Sequence, residues 1–262
     1  MLQLFPSREI ALALGPVSVH WYGIMYALGF LLGIWMLPCL LRLAKIEMSP
    51  QDRETFVLWI FLGVLLGGRL GFILFYGGTY FLENPAKIIA VWEGGMSSHG
   101  GFIGVCLAVF LFASRKHIDF FRLGDVLVIP VAIGLALGRL GNLINGELYG
   151  TPTTMPWAMS FPGADEPRHP TQIYAILKDL VIAGACALHL TKNAKNNIPS
   201  GRTAGLFLLL YGLFRFIVEI FREQPYGFTN IVGLDVSRGQ LLTIPIILIG
   251  VAVLMLRRSE RA

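Results

Sequence analysis

Seven ionisable side chains fall within or at the edge of long apolar stretches: Arg69, Arg139, Glu147, Lys178, Asp179, Arg215 and Glu219. At the centre of a membrane helix such a charge costs about 2.5–3.5 kcal/mol on insertion scales, so each needs a partner, a water-filled cavity or a substrate. Tyr211, Arg215 and Glu219 are four apart, which stacks them on one helical face and lets Arg215 pair with Glu219. Spacing alone leaves this face open to two readings, a structural ion pair or a substrate site. The segment from Gly138 to Gly150 joins the guanidinium of Arg139, the amides of Asn142 and Asn145 and the carboxylate of Glu147, with four glycines that permit an unwound backbone. Irregular polar backbone at membrane depth is tolerated where it is buried in protein or lines a cavity. A plain helix-ending loop needs fewer polar groups, so this segment reads as a site.

Other residues have more than one use. His99 stands between the glycine pairs Gly94-Gly95 and Gly100-Gly101 at the start of an apolar span, where an imidazole caps a helix or accepts a proton near neutral pH. His20-Trp21-Tyr22 reads on its own as an interfacial anchor. Between Pro167 and Pro170 the chain is stiff, and Thr171 offers a helix cap. His117 and His189 carry no constellation and read as structural. The sequence contains no H-E-x-x-H, P-loop, G-x-S-x-G or acidic metal cluster, so neither a metal nor a cofactor is expected.

The elements that must position these groups are membrane helices. Of 262 residues 55% are hydrophobic and 14% charged, mean hydropathy is +0.67, and soluble domains carry about 25% charged residues. Apolar stretches near the roughly 20 residues that cross a bilayer recur about seven times: about Trp21 to Leu41, Phe56 to Tyr76, His99 to the residue before Arg115, after Asp125 to Arg139, Ile173 to Leu190, Gly205 to Phe221 and Leu241 to Leu256. The fold class is therefore an all-α integral membrane protein, a bundle of about seven transmembrane helices forming one polytopic domain over 1–262. Twelve Lys and Arg residues fall on the side that includes Arg42, Lys45, Arg115 and Lys116, against six on the other. The positive-inside rule then predicts a periplasmic N-terminus, a cytoplasmic C-terminus and a site toward the outer face. A formal net charge of +5 resides mostly in these short loops, so nucleic acid is not an expected partner. Arg8 is followed at once by Glu9 rather than by a short apolar core, which predicts that the first span is retained. Cys39, Cys106 and Cys186 lie in separate spans as small apolar fillers. Glycines four apart, as at Gly63, Gly67 and Gly71 or Gly100 and Gly104, predict closely approaching helix backbones. No internal repeat supports an inverted-repeat transporter.

In these segments the chain resembles the bacterial prolipoprotein diacylglyceryl transferases. The resemblance runs in order through His20-Trp21-Tyr22-Gly23, Gly67-Gly68-Arg69, Gly94-Gly95-Met96-Ser97, His99-Gly100-Gly101, Gly138-Arg139-Leu140-Gly141-Asn142 and Asn145-Gly146-Glu147. It continues through Arg168-His169-Pro170, Gln172, Tyr174, Tyr211-Gly212, Arg215, Glu219, Arg222 and Gly239-Gln240. Ala175 stands where the family usually has an acid, Ser98 where an aromatic is common and Arg238 where methionine is common. Glu223-Gln224-Pro225 departs from the family's arginine-proline-acid pattern.

The resemblance implies a transferase of the bacterial inner membrane that moves the diacylglyceryl group of phosphatidylglycerol to the lipobox cysteine of a prolipoprotein signal peptide. Its implied catalytic residues are His99, Arg139 and Arg215, with His99 as candidate base and the arginines on the lipid phosphate. Tyr22, His20, Arg69, Asn142, Asn145, Glu147, Tyr211 and Glu219 are the implied substrate-binding residues. A phospholipid headgroup hydrolase could share the arginines, and a lipid transporter or binding protein would give no covalent product. Polar residues continuing to the cytoplasmic side would favour the transporter, and they cluster toward the outer side instead.

Overall fold

The computed structural model describes residues 9–15, 17–91, 94–196, 199–224, 227–231 and 234–256. Arg8 and Pro225, named above, lie outside the described residues, as do Trp92 and Glu93 and, of the twelve basic residues counted on one side, Arg257, Arg258 and Arg261. Seven described helices are long and apolar enough to cross a membrane. They are α1 Trp21–Leu43, α2 Pro50–Tyr76, α4 Ser98–Lys116, α5 Phe120–Asn145, α6 Thr171–Asn196, α7 Arg202–Ile220 and α8 Arg238–Leu256, with a one-turn α3 at Tyr80–Glu83. The chain is a mostly helical membrane protein with seven candidate spans, as the recurrence of apolar stretches predicts. Apolar side chains remain exposed along these helices, Trp35 and Leu74 among them, as a lipid-facing surface requires.

The helices extend beyond the apolar stretches because polar residues begin and end them. Ser49 caps α2, accepting from Asp52 N at 3.1 Å with Pro50 in the first turn, so this helix starts six residues before Phe56. Two antiparallel hairpins were not foreseen: β1 Ile10–Leu14 with β2 Val17–His20, and β3 Phe228–Ile231 with β4 Leu234–Ser237. Each second strand runs directly into a helix, α1 or α8. At the second junction Ser237 and Gln240 form a reciprocal capping box, with Gln240 N donating to Ser237 Oγ at 3.1 Å and Ser237 N to Gln240 Oε1 at 2.9 Å.

The chain divides into two compact units, Met1–Ala44 with Gly124–Ala262, and Lys45–Leu123. In the second unit α2 and α4 meet along the predicted glycines. A Cβ on Gly63 would lie 2.8 Å from the Gly104 carbonyl oxygen, and one on Gly104 would lie 2.8 Å from Gly67 Cα. Nothing but hydrogen fits at this seam, and the close approach supplies the van der Waals contact that lipid-immersed helices rely on. In the larger unit α7 packs between α6 and α8. Its first turn is held by the buried Asp125, which accepts from Gly201 N and Ala204 N at 2.7 Å each.

Gly104→Val should therefore cost about 1–3 kcal/mol of stability or more, the usual range for overpacking. Gly134→Ala, where an added methyl would meet nothing within 4 Å, should be neutral or stabilising. Thermal unfolding of both variants in detergent checks this, and equal midpoints would contradict the seam.

Candidate active site

In the larger unit the charged residues meet where α5 ends, α6 begins, α7 ends and α8 begins. α5 remains helical through Asn145, which corrects the expectation of an unwound backbone from Gly138 onward. Gly138 and Gly141 are helical, and the turn is confined to Gly146 (φ +72°) and Leu148 (φ +59°). Gly141 serves packing instead: a Cβ there would lie 2.9 Å from the Tyr22 ring, so the first turn of α1 rests on this helix. Tyr22 also lies against Tyr26, with ring centroids 4.9 Å apart, planes tilted by 57° and hydroxyls 3.4 Å apart.

From the end of α5 a polar chain runs outward from the guanidinium. Arg139 Nη1 donates to Asn142 Oδ1 at 3.3 Å, and Asn142 Nδ2 to Glu147 Oε1 at 2.8 Å. Asn145 Nδ2 reaches the same carboxylate oxygen at 3.4 Å. Glu147 and Leu148 then join α6 through their backbone, as Gln172 Nε2 donates to the Glu147 carbonyl at 2.7 Å and Thr171 Oγ1 to the Leu148 carbonyl at 2.9 Å. Thr171 is the first residue of α6, and its hydroxyl ties down this turn, where a helix cap was expected. Two buried acceptors, Asn145 Oδ1 and Gln172 Oε1, have no hydrogen-bond partner among the described residues. Buried unpaired acceptors are uncommon and invite a donor.

On α7 the Arg215 and Glu219 pair forms as the spacing predicts, with Nη2 2.7 Å from Oε2. Glu219, 5% exposed, also has Arg222 Nη1 at 3.8 Å and accepts from Gln224 Nε2 at 3.3 Å. Its carboxylate lies against Gly239 in the first turn of α8, where any Cβ would collide with it. The positive end of that helix favours the negative charge. Arg222 lies just beyond α7. Burial, then the neighbouring positive charge of Arg215 and more weakly that of Arg139, hold it below the usual guanidinium range, with Glu219 opposing. Three guanidiniums thus share one region, and residues from α6 join it. Lys178 lies with its ammonium 4.4 Å from the centroid of the Tyr211 ring and paired with Asp179.

The loop between α5 and α6 braces the cluster. Thr151 N donates to the Phe221 carbonyl at 2.9 Å, and His169 N to the Thr151 carbonyl at 3.0 Å. His169 Nδ1 is 2.9 Å from the Tyr174 hydroxyl, which also accepts from Trp157 Nε1 at 2.7 Å. Arg168 pairs with Glu223 at 3.1 Å and lies over the Tyr149 ring. His20 ends β2 immediately before α1 with its side chain exposed and making no cap bond.

The second unit carries His99 and Arg69. His99 is exposed in the first turn of α4, where Ser97 provides the cap by accepting from Gly100 N at 3.2 Å. Arg69, 6% exposed, gives its donors to backbone carbonyls: Nε to Ile88 at 2.9 Å, Nη1 to Gly94 and Gly95 at 2.5 and 3.1 Å, and Nη2 to Lys87. The sequence placed Arg69 among the substrate-binding residues, whereas its hydrogen bonds organise the loop that leads to Ser97 and His99. The sequence assigned no role to Tyr26, although its four-residue spacing from Tyr22 could have marked the pair. Gln172 and Arg222 were recognised only as parts of the resemblance, and Lys178 and Asp179 only as charges needing a reason.

Fold and site together define a multi-pass membrane protein with guanidinium groups gathered at one end of its helices. A family model described as prolipoprotein diacylglyceryl transferase matches residues 9–256. The phosphatidylglycerol–prolipoprotein diacylglyceryl transferase of Bordetella avium is 42% identical, covering 100% of this chain and 99% of the relative. Those of Polynucleobacter asymbioticus, 44% identical over 95% of both chains, and Pasteurella multocida, 42% identical over 98% of this chain and 95% of its own, are similar throughout. The chain belongs to the prolipoprotein diacylglyceryl transferase family and is an enzyme of that class.

Arg69→Met should leave the Lys87, Ile88, Gly94 and Gly95 carbonyls without their cation, at about 1–3 kcal/mol for each buried acceptor left unpaired. Hydrogen exchange should accelerate over 87–91 and the unfolding midpoint should fall. Unchanged exchange there would assign the arginine a different task.

Proposed function

We infer that this enzyme transfers the diacylglyceryl group of phosphatidylglycerol to the lipobox cysteine of a prolipoprotein signal peptide in the bacterial inner membrane. The carrying observation is the convergence of Arg139, Arg215 and Arg222 on one region, with Glu219 as the shared counter-ion of Arg215 and Arg222. Such a surplus of positive charge in a poorly hydrated place suits the phosphodiester of a lipid held in the same bilayer. Guanidinium is the apt cation, because its planar donors match phosphate oxygens and it stays charged when desolvated.

In the reaction the cysteine thiolate attacks the glyceryl carbon, the carbon–oxygen bond breaks toward phosphate, and a thioether and glycerol phosphate result. The thiolate is the nucleophile, and a free thiol has a pKa of about 8.5, so a proton acceptor or a positive field is needed. His99 is the proposed acceptor, being an accessible imidazole with no hydrogen-bond partner among the described residues. Arg139 and Arg215 stabilise the phosphate as it departs. Tyr211 and Glu219 orient Arg215; Asn142 and Glu147 orient Arg139. The unpaired oxygens of Asn145 and Gln172 suit the hydroxyl groups of a glycerol headgroup. Tyr22 and His20, at the start of α1, contact the lipid, and Arg69 acts through the loop it holds.

Purified protein, phosphatidylglycerol and a synthetic lipobox peptide should give a diacylglyceryl mass gain on the cysteine peptide and none on its serine counterpart. Lipid turnover without peptide modification would indicate a hydrolase, and no turnover would indicate binding or transport. Arg139→Ala and Arg215→Ala should each lower transfer by at least about 10²–10³-fold, the scale for losing a transition-state donor, with lysine restoring only part. Full activity in either alanine variant would remove that arginine from the site. His99→Gln should lower the rate and flatten its pH profile near neutrality; an unaltered profile would exclude proton transfer by this residue.

A further inference from the structure

Lys178 and Asp179 form a buried ion pair that nothing in the transfer scheme above uses. Lys178 is 9% exposed and Asp179 1%, both within the membrane-spanning helix α6. Successive helical residues do not face each other, so the lysine stem must curl for its ammonium to meet the neighbouring carboxylate. Removing two charges from water is costly, and an apolar pair of similar volume is often as stable. Fold stability therefore gives little reason for this pair.

Its location supplies one. At 1.5 Å per residue, Lys178 lies about 10 Å along α6 from the helix start at Thr171. Arg139 lies about 9 Å from the end of α5 and Arg215 about 8 Å from the end of α7. The cations thus occupy similar depths below the same end of the unit. Lys178 and Asp179 are each within electrostatic reach of both arginines. One turn nearer the helix start, the buried Ala175 offers no carboxylate that would draw the ammonium outward. An ammonium has three donors. Asp179 accepts one, the Tyr211 ring faces the charge, and among the described residues no further acceptor is found.

The charges of the region also bear on the reaction. Arg139, Lys178, Arg215 and Arg222 stand against Glu147, Asp179 and Glu219, which leaves one positive charge in surplus. That suits a phosphodiester monoanion. When the thiolate forms the sulfur–carbon bond, the electron pair of the broken carbon–oxygen bond stays on phosphate, giving a phosphomonoester dianion. The thiol proton has by then passed to the base. The second negative charge develops where guanidiniums already engaged in the ground state have least left to offer.

We propose that Lys178 is a fourth cation of the phosphate site beside the three guanidiniums, held ready by Asp179 and the Tyr211 ring, whose spare donors bind the leaving glycerol phosphate as its second charge develops. This rests on the transferase reading above. Lys178 then acts on the transition state and product and little on the bound lipid, and differential binding of that kind appears in kcat.

The test is transfer to a lipobox peptide by the full-length protein in phosphatidylglycerol-containing vesicles, with sn-glycerol phosphate as product inhibitor. Lys178→Met should lower kcat about a hundredfold, the scale of one lost transition-state donor, with KM for the lipid within about twofold. Inhibition by glycerol phosphate should weaken at least tenfold, whereas inhibition by the monoanionic diester glycerophosphoglycerol should hold. Lys178→Arg should recover part of both losses. The double variant Lys178→Met/Asp179→Leu leaves no buried charge alone and guards against misfolding; it should insert and unfold like the wild type yet keep the low kcat and weak product inhibition. Wild-type kcat and product inhibition in the double variant, or equal loss of diester and monoester binding in Lys178→Met, would overturn the proposal. A wild-type protein that forms no thioether would instead remove the transferase reading.

Discussion

The carboxylate of Glu219 is the interaction on which the larger unit's site depends. It lies at the end of α7, pairs with Arg215 one turn earlier, faces Arg222 one turn later and accepts from Gln224. It is also where the end of α7 meets the start of α8, because Gly239 leaves room for it against the first turn of that helix. A carboxylate in an apolar span is tolerated only when its charge is met, and here cations and a helix N-terminus meet it together. Gly239 and the Ser237–Gln240 capping box follow from the same requirement: the α8 backbone must start at a fixed place and carry no side chain there.

If Glu219 fixes one end of α7, Asp125 fixes the other. Its two oxygens accept from Gly201 N and Ala204 N, so the helix is held by a carboxylate at each end and its depth is set. Around the first turn, His189, Asn193 and Thr203 bond one another, with His189 Nδ1 3.0 Å from Thr203 Oγ1 and Asn193 Nδ2 3.2 Å from the same hydroxyl. The Asn193 amide nitrogen, the His189 ring nitrogen and the Thr203 hydroxyl are thus answered within the protein, as the absence of water in a bilayer core demands. Arg215, carried between two fixed ends, is placed in depth by the helix more than by its own flexible stem.

Much of this was legible in the sequence, since the physics behind it is local or one-dimensional. Seven apolar stretches of spanning length name seven helices, and the four-residue spacing of Arg215 and Glu219 names their pair. The glycine periodicity of Gly63, Gly67 and Gly71 against Gly100 and Gly104 names the α2 and α4 contact. Less legible was anything decided by partners distant in sequence. Arg69 reads as a charge in need of a substrate, because its true acceptors are carbonyls 18 to 26 residues away, and every residue has a carbonyl. The glycines of Gly138-Arg139-Leu140-Gly141 suggested unwinding, but Gly141 is required by the Tyr22 ring, over a hundred positions earlier. The hairpins leave little trace in the sequence because strands of four or five residues carry too little alternation to stand out beside long apolar helices.

Within the larger unit the cations are held with unequal firmness, and this has a chemical meaning. Arg215 is committed to a short ion pair at 2.7 Å, Arg222 stands 3.8 Å from the same carboxylate, and among the described residues Arg139 has a single 3.3 Å bond to an amide. A site in which every guanidinium were saturated by carboxylates would have nothing to offer an anion, as Arg69 shows in the other unit, where carbonyls take its donors. A site with none paired would not tolerate its own repulsion when empty. The gradation from Arg215 to Arg139 resolves that conflict: one firm pair sets the geometry, and under the function proposed above the looser cations keep donors for the phosphate of the lipid. Neutral amides suit Arg139 for this reason, since Asn142 orients the guanidinium without cancelling its charge and hands the remaining polarity on to Glu147.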